Sequence, residues 1–351
     1  MMTDNLKNSS SNALADGEMR QDELTGNESV TSLLVLALQQ QQPVKRIKEI
    51  LDKVDDINVA IAPYGNRLLH IAVRADCELA VINELLSKGA DVNAVDDHGI
   101  APLHLAVFTN NCVEYVHSLM ARGANINAKT NSGLTALYAA VVSYRKYKII
   151  KTLLEYGAVT HYKYDNFMAH LGFYTILQKA VGLKATSSAL LLIRVIFLRN
   201  FKKDFSEISE IMEDPKINSV QYSSYMVKCI KELELMKKTR ISRTSSALDF
   251  AVFGKHHIAK TLRTNPIMTD SELTVMFPIY NDILKKNIAL ALERGQYISK
   301  FRNVVIYCIS TENEEVYLNL DCVEEICSYL TNHELLNLTK AFQITRSRKH
   351  L

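Results

Sequence analysis

The chain has 351 residues, 48% of them apolar, and its 41 basic against 38 acidic residues leave a formal charge of +3. So small an excess provides no field that would draw nucleic acid, an anionic membrane or an acidic substrate, and it excludes a general nucleic-acid binder. The six cysteines, Cys77, Cys112, Cys229, Cys308, Cys322 and Cys327, form no C-x-x-C pair and match no histidine spacing, so neither a zinc site nor a disulfide framework is expected, and a reducing cytosol or nucleus fits.

Residues 1–30 are rich in Ser, Asn, Asp and Glu and lack the basic-then-apolar order of a secretory signal, which predicts a disordered tail. The longest apolar runs, Leu33 to Leu38 and Ala189 to Leu198, are too short for a bilayer, and the second carries Arg194; a soluble protein is expected. The length suits two or three domains, or one extended stack with a terminal module.

Between about Tyr64 and Tyr164 three landmarks recur every 34 residues. Gly65, Gly99 and Gly133 share that spacing, as do Leu69-His70, Leu103-His104 and Leu137-Tyr138, and Gly89-Ala90, Gly123-Ala124 and Gly157-Ala158. A fixed period of this size means stacked supersecondary units, which are usually surfaces for gripping proteins. In the best unit Pro102 suits a first helical turn, Leu103 and Ala106 continue it, and Val113, Val116, Leu119 and Met120 follow with helical spacing, so two short helices each bury one stripe. Gly123 then stops the second helix. A weaker copy lies upstream, where Ala37, Leu51 and Ile57-Asn58 align with Ala72, Leu86 and Val92-Asn93 at a spacing of 35.

These residues resemble the ankyrin repeat, whose pattern is a turn, Thr-Pro-Leu-His-x-Ala, a second helix and Gly-Ala-Asp-Val-Asn. The resemblance implies an all-α fold, a solenoid of stacked helix-turn-helix units running into a helical C-terminal module. The period exceeds the usual 33 by one, and the extra residue falls in or near the link between the two helices, because His70 to Gly89 and His104 to Gly123 are each one longer than expected. The family's concave face implies target-binding positions at Tyr64, Arg74, Asp76, His98, Phe108, Asn110, Ser132, Tyr144 and Arg145. Taken singly, each also reads as a solvated loop residue. His70 and His104 are implied to be structural, bonding to the backbone across the repeat, and Asn93 and Asn127 to be turn residues of a kind that is hydroxylated in some animal ankyrins.

Beyond Gly157 the register fades. Gly172 to Ala180 reads as a decayed copy with Ala189 to Leu198 as its buried second helix, and Tyr222 to Lys238 as a longer exposed helix with Met226, Ile230, Leu233 and Leu235 on its apolar spacing. Ser246 to Ala251, followed by His256 to Leu262, restores the repeat spacing. The paired His256-His257 has no carboxylate or cysteine at ligand spacing, so a solvated loop is expected there and no metal or cofactor. The sequence has no Gly-rich phosphate loop, nucleophile-histidine motif or paired catalytic carboxylates, and no enzyme is expected.

At the end, apolar residues at 318, 320, 323, 326, 330, 335, 336 and 338 predict two helices joined near Thr331-Asn332, either of which can cap the second. This segment resembles an F-box: Leu318, Ile326, Leu330 and Leu335 match its pattern, while Asn319, Asp321 and Glu334 replace its Pro, Glu and Asp, and the chain stops before a full F-box would. With Met226 to Lys237, Ser245 to Ala251 and Phe277 to Tyr280, the order resembles the PRANC region of poxvirus ankyrin proteins and of related proteins in parasitoid wasps and intracellular bacteria. The implied division is a tail at 1–30, ankyrin repeats at 31–163, a degenerate ankyrin-like region at 164–265 and a PRANC-like module at 266–351. The resemblance implies an adaptor: the repeats hold a target protein, and Leu318, Leu320, Val323, Ile326, Leu330, Leu335 and Leu336 dock on the Skp adaptor of a cullin-RING ubiquitin ligase. The other reading is a plain ankyrin binder or inhibitor, for instance of a Rel-type factor, whose last helices only cap the stack.

Overall fold

The computed structural model describes residues 27–143, 147–160, 176–201, 206–242, 245–252, 268–310, 320–332 and 334–340. The regular elements among these residues are helices, with only the isolated bridges Ile61–Asn66 and Arg240–Ser246 as extended pairing. The expected residues Tyr144, Arg145, His256, His257 and Leu318 lie outside them. Contacts within the chain gather into two units, one of residues 1–195 with 214–217, the other of 196–213 with 218–351.

The first unit is an all-α stack of helix pairs: α1 (Asn27–Gln39) with α2 (Val44–Leu51), α3 (Leu68–Arg74) with α4 (Leu79–Ser87), α5 (Pro102–Ala106) with α6 (Cys112–Ala121), and α7 (Ala136–Val142) with α8 (Tyr147–Glu155). The short helices pack in one row, α1 on α3, α3 on α5, α5 on α7, and α9 (Ile176–Gly182) extends that row beyond α7. A second row runs α2, α4, α6, α8. Each helix is too short to be stable alone, so stacking supplies the burial that holds it. The matched leucines Leu69, Leu103 and Leu137 are at most 2% exposed, as are Ala72, Ala106 and Ala140.

The repeat landmarks have separate duties. The outer helices α4, α6 and α8 end alike: Ala90, Ala124 and Ala158 N–H reach the carbonyls of Leu85, Leu119 and Leu153 at 3.0 Å, while the glycine before each donates one turn tighter. This paired closure satisfies carbonyls the helix leaves open. The asparagines stitch one unit to the next. Asn93 Nδ2 donates to Gly123 O at 3.1 Å and its Oδ1 accepts from Asn125 N–H at 2.7 Å. Asn58 repeats this toward Gly89 and Asp91, so the upstream copy at spacing 35 is a true unit of the stack, and Asn127 accepts from Val159 N–H. The inner-to-outer link of the upstream and first full units turns on a left-handed residue, Gln41 (φ 50°) and Asp76 (φ 53°), again 35 apart.

The decayed copy also forms helices, α9 and α10 (Thr186–Asn200), with Leu192, Ile193 and Phe197 fully buried. In the second unit, α11 (Ser206–Glu213) is followed by α12 (Val220–Lys238), α13 (Ala247–Val252), α14 (Asp270–Met276), the 30-residue α15 (Asn281–Ser310) and α16 (Leu320–Tyr329). Helix α15 packs against α13, α14 and α16. The expectation that Tyr222 to Lys238 is an exposed helix is corrected: α12 buries Tyr222, Met226, Cys229, Glu232, Leu233 and Met236, while Leu235, read as core, is 40% exposed.

Candidate functional site

The second and third hairpin tips are each fixed by their own first residue. Asp96, 6% exposed, accepts from His98 N–H at 2.9 Å and Ile100 N–H at 2.8 Å through Oδ1, and Thr130 serves the next tip by accepting from Leu134 N–H and pairing with Ser132 Oγ at 3.0 Å. The tips then bond to one another. Asp97 N–H donates to Tyr64 O at 3.1 Å, Asn131 N–H to His98 O at 2.9 Å, and Asn131 Nδ2 to Asp97 O at 2.9 Å. As a result Tyr64, His98 and Ser132, 34 residues apart, form one exposed row, in which the Tyr64 and His98 rings tilt against each other at a centroid distance of 6.1 Å. A fixed row of this kind holds its side chains ready for a partner without ordering them on binding.

Behind the tips the two histidines lock each turn to the next. His104 Nδ1 accepts from Ala101 N–H at 3.0 Å, so the proton sits on Nε2, which donates toward Ala128 O (3.0 Å) and Leu134 O (3.2 Å). His70 does the same with Arg67 N–H and Ile100 O. Burial pushes both imidazoles below their ordinary range, which keeps them neutral and supports their structural assignment. Tyr115 and Cys77 are equally structural. The phenol donates to Cys77 O, the Cys77 thiol donates to Leu38 O at 3.3 Å, and burial pushes that thiol up to about 11, out of the reactive range.

Of the nine expected face residues, Tyr64 (41% exposed), Arg74, His98, Phe108 (47%) and Ser132 stand open. Asp76 and Asn110 pair with each other: Asp76 Oδ2 accepts from Asn110 N–H and Nδ2 at 3.1 and 2.8 Å, while Oδ1 accepts from Asn111 Nδ2 at 3.3 Å. The two thus tie neighbouring links together. Sequence reasoning passed over Val95, 49% exposed, and over Asn66 and Arg67, which line the first hairpin with Arg74. The available signal was position. In the other two repeats those three places hold Ile100, Ala101 and Phe108, then Leu134, Thr135 and Val142.

The terminal helices have their own small core. Phe301, Cys327 and Leu335 are buried, with Tyr297, Ile298, Leu330 and Leu338 against them. Arg294, 5% exposed on α15, donates to the carbonyls of Cys327 and Leu330 and to Asn332 Oδ1 at 2.7 Å, and so closes the C-terminal end of α16. Thr331 caps residues 334–340: its Oγ1 accepts from Glu334 N–H, and the Glu334 carboxylate accepts from Thr331 N–H at 2.7 Å. Of the expected docking residues, Leu335 lies inside this core and Leu330 against it, Leu336 is half-buried, and Ile326 is 45% exposed beside Tyr329 at 79%. Leu320 and Val323 fall on α16, within its first two turns.

Among the described residues no group of three or more His, Cys, Asp or Glu is placed to hold a metal ion, and no helix is long and apolar enough to cross a membrane. Stack and face together define a helical repeat protein whose ordered surface is a row of hairpin tips. That class has a family match: a model of ankyrin repeats fits residues 69–164 in three copies. The chain therefore carries an ankyrin module, a domain type that binds proteins and is not itself catalytic. No curated protein matches the chain.

Proposed function

We propose that the protein is an adaptor, in which the inner face of the ankyrin repeats holds a target protein and the C-terminal helical hairpin, residues 320–340 of a PRANC-like module, recruits the Skp adaptor of a cullin-RING ubiquitin ligase. The observation that carries this reading is the construction of the hairpin. Its fold is secured from one side by Arg294 and the Phe301–Cys327–Leu335 core, and its other side turns Ile326 and Tyr329 outward. An exposed aromatic beside an exposed aliphatic is the usual material of a docking spot. Two surfaces on one chain raise the local concentration of the target near the ubiquitin-carrying enzyme, which needs no chemistry of its own. Cys77, Cys112, Cys229 and Cys327 are buried and take part in no disulfide, which suits work in cytoplasm or nucleus.

One observation favours the plainer reading of an ankyrin binder. Leu330 and Leu335, central to the F-box-like pattern, serve the hairpin's own core. Removing the last helices would uncover Phe301, so the test uses surface substitutions in the full chain. Tagged protein and its Ile326→Asp and Tyr329→Ser variants are expressed in cells and recovered. The adaptor reading expects Skp and cullin with the parent chain and their loss from both variants, with helicity unchanged. Equal recovery from all three, or none from any, leaves the plain binder.

A further inference from the structure

The first full repeat carries a polar group that its neighbours lack. Asn66, Arg67 and Arg74 occupy positions held by Ile100, Ala101 and Phe108 one unit on, and by Leu134, Thr135 and Val142 in the next. Both of those repeats close the same turn and helix without an arginine, so the fold does not require the pair. Yet the pair is organised. Arg67 Nη1 donates to Gly65 O, Arg74 Nη2 donates to Asn66 Oδ1 at 3.2 Å, and Asn66 itself is 6% exposed and pinned by its bridge to Ile61. Both guanidiniums thus close on one hairpin, the one whose tip carries Tyr64.

Within the described structure the two are unneutralised. Among the described residues no carboxylate lies within 4.0 Å of either guanidinium. Of the acids nearby, Asp76 is held by Asn110 and Asn111 and Asp96 by the N–H groups of its own turn, while Asp97 stands over Gly65, more than 4.0 Å from both guanidiniums. Toward the described residues each arginine uses one of its five N–H donors. Guanidiniums fixed in direction match the two oxygens of a carboxylate, and such charge-assisted pairs are about twice as strong as neutral hydrogen bonds.

We infer that Asn66, Arg67 and Arg74 form the specificity-determining subsite of the ankyrin face, and that the segment of the target it receives is acidic, with its carboxylates on Arg67 and Arg74 and apolar side chains beside them against Tyr64 and Phe108. This rests on the reading that the inner face grips a protein. Charge complementarity selects the partner, and the aromatic residues supply the contact area.

A library of random peptides of about twelve residues, displayed on phage, tests it against the full-length protein and the double variant Arg67→Ala, Arg74→Val, which installs side chains the neighbouring repeats already carry. The expected result is enrichment of Asp and Glu on the parent protein, about tenfold or greater weakening on the variant, equivalent to one factor of ten in Kd, and weaker binding as salt is raised. Unchanged melting and circular dichroism certify the variant. Enrichment of peptides without acidic residues, equal binding by the variant, or no binding by the parent overturns the inference. A second variant, Tyr64→Ala with Phe108→Ala, separates it from the reading beneath: neutral peptides lost on that variant keep the inner face as a binding face while the acidic subsite fails.

Discussion

Glu232, 6% exposed on α12, accepts from the backbone N–H groups of Ile279 (3.0 Å) and Tyr280 (2.8 Å), which are the last donors before α15 begins at Asn281. A buried carboxylate aimed at a helix N-terminus supplies the acceptor those donors need and meets the positive end of the helix dipole. Phe277 and Tyr280, both fully buried, wedge the same junction. Glu232→Leu removes the carboxylate acceptor from one buried and one part-buried N–H group and is expected to cost about 3 kcal/mol, while Glu232→Gln keeps one oxygen and costs about 1 kcal/mol. Hydrogen exchange over α12 and the first turns of α15 reads both. Equal, small increases in the two variants would show that the carboxylate is incidental.

The hairpin glycines offer a graded test. Gly65, Gly99 and Gly133 all have φ between 65° and 78°, so alanine is strained at each, by about 1 kcal/mol. Their surroundings differ. A Cβ on Gly99 would lie 2.7 Å from the Asn131 backbone nitrogen, one on Gly65 would meet only the Asp97 side chain, and one on Gly133 meets nothing within 4 Å. Gly99→Ala should therefore destabilise the stack most, since backbone must shift; Gly65→Ala should cost less, because a carboxylate can swing away; and Gly133→Ala should show the bare strain. Melting temperatures of the three variants give the order, and a largest loss at Gly133 would contradict it.

What could be read beforehand follows from where each residue's partner sits. His104 and Asn93 bond to backbone one unit away, and the glycine-alanine pairs close each outer helix on its own carbonyls, so the same residue must return at the same interval, and the period exposes them. The upstream copy could be found the same way because Asn58 keeps the bond although little else is kept. Glu232 had no such signal. It lies on a helix among Lys228, Lys231, Glu234 and Lys237, which resembles a solvated face, and its partners are backbone groups 47 residues on that carry no side-chain signature. Arg294 was hidden similarly, its acceptors being carbonyls 33 and 36 residues later. Asp76 and Asn110 looked like free polar residues of a binding face because a pair that bonds to itself across a repeat has the same composition as a pair that awaits a partner.

Arg294 makes a prediction of its own. Its guanidinium reaches two carbonyls and the Asn332 amide oxygen, a set that a lysine's single nitrogen cannot span. Arg294→Lys is expected to raise hydrogen exchange in residues 325–340 about a hundredfold, about 3 kcal/mol of local stability, and Arg294→Met somewhat more, with α3 to α8 unchanged. Exchange that stays at the parent level in Arg294→Lys would mean the Phe301–Cys327–Leu335 core holds the hairpin unaided.

The buried histidines set the response to acid. Burial depresses the folded-state values of His70 and His104 below 6.5, the main cause in each case, while Asp96 and the backbone carbonyls they face oppose it and Arg67 and Arg74 reinforce it at His70. The unfolded chain therefore takes up protons first as pH falls. Stability from these groups is fully present above the unfolded value and is lost as pH drops from about 6.5 through the folded values, with a slope of at most about 1.4 kcal/mol per pH unit for each histidine. Melting of the ankyrin stack should accordingly be flat from pH 8 to about 7 and decline below about 6.5, before surface carboxylates titrate. His70→Gln, which keeps an amide to bond Ile100 O, is expected to melt lower at pH 7.5 but to lose about half of the decline between about pH 6.5 and 5. If the decline is unchanged in that variant, the acid response belongs to other groups.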